Sequence, residues 1–199
     1  MKNVNILKTS AANILTCGIV GLLCACSQPA PDTASNKPAT SPVVKSVGNN
    51  LVINGDFTEG PPTEISGWSW WKEHAISRDS DDQVANSLKV DCKPGQKITF
   101  KQSIDMVLVP GKKYLVSGKV KASAATGSIT LEVAREGGAS IVETKPVAST
   151  EWTTVETTFT APLDCTNMIL LLKYRPDPKA EPAPITVWYA DIKMFATES

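Results

Sequence analysis

Three of the chain's five tryptophans crowd into one short stretch, at Trp68, Trp70 and Trp71. On an extended backbone successive side chains alternate, so Trp68 and Trp70 point one way and Trp71 the other. One of those sides must be core, which leaves an indole on the opposite side. Trp71 is therefore the candidate exposed platform and Trp70 the second; Trp68 and Trp152 are assigned to the core. An indole offers a flat apolar face and one N–H, which suits a ligand that is apolar on a face and polar at its edges. Polar partners are available in Gln102, Arg135, Lys173 and Arg175. In the run from Asn167 to Tyr174, Met168, Leu170, Leu172 and Tyr174 share one face, while Lys173 and Arg175 share the other. Those cations are expected to line a cleft with Lys119 and Lys121.

Catalysis finds little support. His74 is the only histidine, so a triad with histidine as base and a multi-histidine metal site are both excluded. No G-x-S-x-G elbow, H-E-x-x-H helix or phosphate-binding glycine loop occurs. Asp79, Asp81 and Asp82 read as a solvated loop, without the glycine and distal glutamate of a calcium-binding helix-loop-helix site. The chain is not expected to be an enzyme.

The elements that must position these residues are strands. Pro110-Gly111 leads into Lys113 to Ala122, where Tyr114, Val116, Gly118 and Val120 face one way and Ser117, Lys119 and Lys121 the other. Such alternation marks a strand with one face on a core and one in water. Similar segments lie at 51–53, 67–71, 74–77, 87–91, 97–104, 128–135, 151–160 and 185–195. The continuous apolar run at 167–174 reads as a central strand. Pro176, Pro178, Pro182 and Pro184 must lie outside any sheet interior. About nine or ten strands with Gly and Pro turns, and no helical periodicity, indicate an all-β antiparallel two-sheet β-sandwich of jelly-roll type.

Lys+Arg and Asp+Glu are equal at 20 each, so no bulk field favours nucleic acid. Residues 1–25 read as a signal peptide, with Lys2 and Lys8 before a short apolar run, Ile14 to Leu23. Leu23-Cys24-Ala25-Cys26 resembles a bacterial lipobox. Cleavage there would leave Cys26 as an acylated first residue, with several chains to hold it to a membrane. Residues 26–48, rich in Pro, Ala, Ser and Thr, read as a disordered tether, and 49–199 as the folded domain. The expected location is the cell envelope, at the outer rather than the inner membrane. Of the five cysteines, Cys92 and Cys165 remain in the domain, where an oxidising compartment would allow them to pair.

Several segments in this order carry a family resemblance. They are Asn50-Leu51-Val52-Ile53-Asn54-Gly55-Asp56-Phe57, Gly67-Trp68, Gln102-Ser103-Ile104, Pro110-Gly111-Lys112-Lys113-Tyr114, Glu151-Trp152-Thr153-Thr154-Val155, Phe159-Thr160-Ala161-Pro162 and Val187-Trp188-Tyr189-Ala190-Asp191-Ile192. Together they resemble the carbohydrate-binding modules of the galactose-binding-like jelly-roll superfamily, notably those attached to xylanases and glucanases. The resemblance implies non-catalytic glycan binding in a cleft on one face, with the indoles stacking on sugar rings. A cleft as basic as the one expected would suit an acidic glycan. The resemblance also implies a structural calcium, for which Asp56, Glu59 and Asp191 are the available ligands, although the family's Phe-Glu is here Phe57-Thr58-Glu59. The alternative function is a structural or assembly lipoprotein whose sandwich binds a protein partner.

Overall fold

The computed structural model describes residues 46–70 and 74–198. Pro42–Ser199 form one compact unit, which holds every strand. The expected signal peptide, the expected lipidation site Cys26 and the expected platform residue Trp71 lie outside the described residues.

Eleven strands form two antiparallel sheets. They are β1 (Ser46–Val47), β2 (Ser69–Trp70), β3 (Ala75–Asp79), β4 (Ser87–Cys92), β5 (Ile98–Ser103), β6 (Lys113–Ala122), β7 (Gly127–Arg135), β8 (Ser140–Glu143), β9 (Thr153–Thr160), β10 (Met168–Pro176) and β11 (Ile185–Thr197). One sheet runs β3-β4-β11-β6-β9, with β1 added to the end of β11; the other runs β2-β5-β10-β7-β8. This is the expected two-sheet sandwich.

The alternation read in the sequence sets the faces. Tyr114, Val116 and Val120 of β6 are buried toward the core, as are Leu131 and Val133 of β7 and Leu170 and Leu172 of β10. Two expectations about the N-terminal part change. Residues 51–57 form turns rather than a strand, and ordered pairing starts earlier, where Ser46 and Val47 meet Thr197 and Ala196 of β11. The turn is held by Asn54, whose amide donates to the carbonyls of Glu59 and Ser66 and accepts from the Glu59 N–H. It packs on β11 where the register with β6 slips between Ala190 and Lys193 and Asp191 turns left-handed (φ 51°). There the Ile192 N–H donates to the Gly55 carbonyl at 2.8 Å.

Trp152 is a correction. It lies on the outer face of the β6-containing sheet rather than in the core, because its indole N–H has found a carboxylate. Asp81, in the loop after β3, accepts from Trp152 Nε1 at 2.6 Å and from Lys121 Nζ at 2.7 Å. The Lys121 ammonium is 4.7 Å from the centroid of Trp152 and 4.9 Å from that of Trp188, whose own N–H reaches Asp79. The Lys121 ammonium, then the Trp152 N–H, hold the Asp81 carboxyl well below the usual carboxylate range. A depressed carboxylate contributes stability above its unfolded value of about 4 and loses it as pH falls toward the folded one. Asp81→Asn should therefore lower Tm at neutral pH, with the gap from wild type closing below about pH 4. A gap of constant size across that range, followed by circular dichroism, would deny the ionic contribution.

The expected Cys92–Cys165 bridge does not form; both are free thiols. Cys92, at the end of β4, perturbs Tyr174 near the end of β10, whereas Cys165 precedes Met168 at the start of β10. The six steps from Met168 to Tyr174 span about 20 Å, far beyond disulfide reach. Burial, then the neighbouring Asp91 charge, push the Cys92 thiol up to about 12, so it stays protonated and inert.

Candidate functional site

The structure offers two surfaces for the site. The first is the outer face of the sheet containing β10. Lys173 and Arg175 project there together, as expected, but Lys119 and Lys121 belong to β6 in the other sheet and face the opposite side. No joint basic cleft exists, because β6 and β10 lie back to back. Lys173 is moreover ion-paired with Glu132, their side chains only 14 % and 8 % exposed, and its Nζ is 3.9 Å from Glu143. Arg175 pairs with Glu143 at 3.2 Å, and Thr130 donates to the same carboxylate at 2.7 Å. Lys101 pairs with Glu136. The charges on this face neutralise one another, which removes the argument for an acidic ligand. Among the described residues of its strands, no aromatic ring points outward.

Two other expected ligands are placed elsewhere. Gln102 is buried on the inner side of β5. Its amide donates to the carbonyls of Ile53 and Gly67 and accepts from the Ile53 N–H, so both its protons are taken by backbone. Arg135 ends β7, where it grips Asp164 through the carboxylate and the carbonyl, each at 2.7 Å.

The second surface is a groove at the open side of the sandwich. Strands β2 and β3 are end strands of different sheets and are not paired with each other, so the layers part between them. The gap is a groove of about 600 Å³ walled by Trp68, Trp70 and Ile76, with Glu64, Ser66 and His74 along it. That volume is of the size that takes a small ligand. Trp68 is buried, tilted against Phe57 at 6.0 Å, and donates its N–H to the Asn54 carbonyl. Trp70 is half-buried and packs on Phe100 with centroids 5.6 Å apart, a fixed ring with one edge of its environment open. Asn54 ties down Glu59 and Ser66, so the 58–66 loop that borders the groove is fastened to the N-terminal turn.

Two polar side chains border the groove, His74 and Glu64. His74 is 9 % exposed, and its Nδ1 has no hydrogen-bond partner among the described residues. Burying such a nitrogen unpaired costs on the order of 1–3 kcal/mol. The exposed Glu64 carboxylate has no partner among the described residues. Sequence reading had placed Trp70 as a ligand residue but missed His74 and Glu64, whose convergence depends on how two sheet edges meet.

The family model described as "Carbohydrate binding domain" matches residues 49–179. The chain belongs to that family. Solved carbohydrate-binding modules share its sandwich. The xylan-binding CBM22-1 domain of Paenibacillus barcinonensis Xyn10C superposes with a TM-score of 0.55 at 15% identity, covering 78% of this chain and 99% of that one. TmCBM61, solved with β-1,4-galactotriose, gives 0.54 at 15% identity, covering 75% and 99%. A CBM4 structure gives 0.51 at 21% identity, covering 73% and 99%. No curated protein sequence matches. This carbohydrate-binding domain therefore carries an aromatic groove at its edge and a charge-paired outer face on one sheet.

The carboxylates implied for calcium, Asp56, Glu59 and Asp191, do line one cavity, beneath the N-terminal turn. Asp191 faces Lys119 at 3.3 Å and Lys193 at 3.9 Å, and Asp56 accepts from Thr58. Among the described residues no three His, Cys, Asp or Glu side chains are grouped to hold a metal, where calcium takes six to eight oxygens.

Proposed function

We propose that the domain binds a neutral glycan without catalysis, and that the β2–β3 groove is the site that holds it. A pyranose has an apolar face edged with hydroxyls. The Trp70 ring suits the first and His74 Nδ1 and Glu64 the second. The observation that carries the reading is a cavity of ligand size lined by both an indole and His74, whose buried Nδ1 has no partner among the described residues. An acidic glycan is disfavoured, because Glu64 is unpaired here and the cations of the neighbouring face are already paired with carboxylates.

The test is a glycan array followed by calorimetry on the best ligand, with xylohexaose and β-1,4-galactotriose included because related modules bind xylan or were solved with the galactan trimer. His74 is the only histidine, so its imidazole NMR signals report the groove alone. Binding that moves those signals and weakens in His74→Gln and Glu64→Gln supports the groove. Binding that weakens in Lys173→Met and leaves His74 unmoved transfers the site to the outer face of β10.

The lipobox-like sequence adds a location to this reading. Acylation of Cys26 would hold the glycan-binding domain at the cell envelope, at the outer membrane, with residues 26–45 as spacer. Mass spectrometry of the mature protein should find acyl chains on Cys26, and Cys26→Ser should release the protein from the membrane fraction. An unmodified Cys26 would remove the anchor from the proposal and leave the groove intact.

A further inference from the structure

One end of the sandwich departs from the usual polar surface. The connection from β5 to β6 and that from β9 to β10 run side by side there. Backbone bonds join Ile104 N–H to the Met168 carbonyl, Gly111 N–H to the Ala161 carbonyl and Ala161 N–H to the Lys112 carbonyl, each at 2.9 Å. The Tyr114 hydroxyl accepts from the Val109 N–H at 2.8 Å, and buried Leu108 roots the tip in the core. On this braced apex Met106 is 92 % exposed, Leu163 89 % and Val109 54 %, with Val107 at the margin. Exposed apolar side chains concentrated on one tip mark an interaction surface. Lys112 and Lys113 flank the tip, both exposed and without a partner among the described residues.

The strand order says where the preceding chain leaves. β11 runs toward this apex, since Ala196 pairs with Tyr114 at the start of β6. β1 pairs antiparallel with its last residues, Ser46 with Thr197 and Val47 with Ala196. The chain before Ser46 therefore departs from the apex end. About 20 residues separate Ser46 from Cys26. On the Cys26 reading, the anchored chain enters the domain from its apex end.

We infer that the apex formed by Met106, Val109 and Leu163, with Lys112 and Lys113, docks on a phospholipid surface. Apolar side chains enter the interface while the lysine stems reach headgroup phosphates. The orientation, though not the apex chemistry, rests on the Cys26 reading. It sets the domain end-on to the membrane, and the glycan groove lies on the side of the sandwich.

The experiment uses Pro42–Ser199, the compact unit that contains the whole core and lacks the anchor. It is sedimented with phosphatidylcholine vesicles, with and without phosphatidylglycerol. Weak binding in the millimolar lipid range is expected, stronger with the anionic lipid and weakened by salt. Met106→Asp and Leu163→Asp should each reduce it several-fold, and the pair should abolish it, while circular dichroism and glycan binding stay unchanged. No sedimentation at high lipid, or binding that survives the double variant, overturns the inference. So does a concentration-dependent dimer lost in Leu163→Asp, which would give the apex to a second copy. Trp70→Ala should leave vesicle binding untouched, so failure of the glycan reading and failure of this one are separable.

Discussion

Trp70→Ala should weaken glycan affinity by at least about tenfold, a loss of about 1.4 kcal/mol or more. The indole is an apolar wall of the groove, and a sugar face that leaves water against it gains about 25 cal/mol for each Å² of apolar surface buried. Alanine removes that wall and leaves the hydroxyl partners in place. The same change removes the contact with Phe100, so Tm should fall as well. Stability and binding must therefore be measured on one sample, below the transition of the variant. Trp70→Phe, which keeps a ring on Phe100, should recover much of the stability and part of the affinity. Lys173→Met is the opposing control. It leaves the Glu132 carboxylate buried and unpaired, which should cost stability while calorimetry finds the glycan affinity unchanged. Should Trp70→Ala bind as tightly as wild type, the groove is not the glycan site.

How much of this was legible in the sequence depends on the range of the interaction concerned. The alternation of β6 needs only neighbours at i and i+2, and it gave both the strand and its buried face. The unbroken run at 167–174 gave β10 for the same reason, since a central strand is apolar where the sheet covers it. Strand β8 was missed because Ser140–Glu143 is a short edge segment with two exposed residues and no clear alternation. Trp152 was misplaced because an indole reads as core until its N–H partner is known, and that partner, Asp81, lies 71 residues away. Gln102 read as a ligand because polarity does not reveal burial. Its real role, bridging Ile53 and Gly67, requires the N-terminal turn to be folded against β5. The groove was the least legible feature. Trp70 could be picked out by type, yet its conjunction with His74 and Glu64 exists only because β2 and β3 end different sheets.

Gly55→Ala should be the most damaging single-atom change in the domain. A Cβ at that position would lie 2.0 Å from the Ile192 carbonyl oxygen and 3.0 Å from its carbon, well inside contact distance. The obstacle is backbone, and it cannot swing aside. Ile192 is held by its own N–H bond to Gly55 at 2.8 Å, next to the left-handed Asp191 that makes the β11 bulge. Relief would require pulling the N-terminal turn off β11, which exposes Phe57 and Val52 from the core and releases Asn54, the residue that fastens Ser66 beside the groove. Core disruption of this kind costs about 3 kcal/mol or more, out of a total of about 5–15 kcal/mol. Gly118→Ala supplies the comparison. Its Cβ would meet the Ile192 Cδ1 methyl at 2.6 Å, the far end of a side chain that can rotate, so a smaller loss is expected. Denaturant midpoints should therefore rank wild type above Gly118→Ala and Gly118→Ala above Gly55→Ala, with any folded Gly55→Ala binding glycan weakly because the loop at Ser66 has lost its fastening. Equal midpoints for Gly55→Ala and wild type would mean that the turn is not clamped on β11, and the positioning of the groove through Asn54 would fall with it.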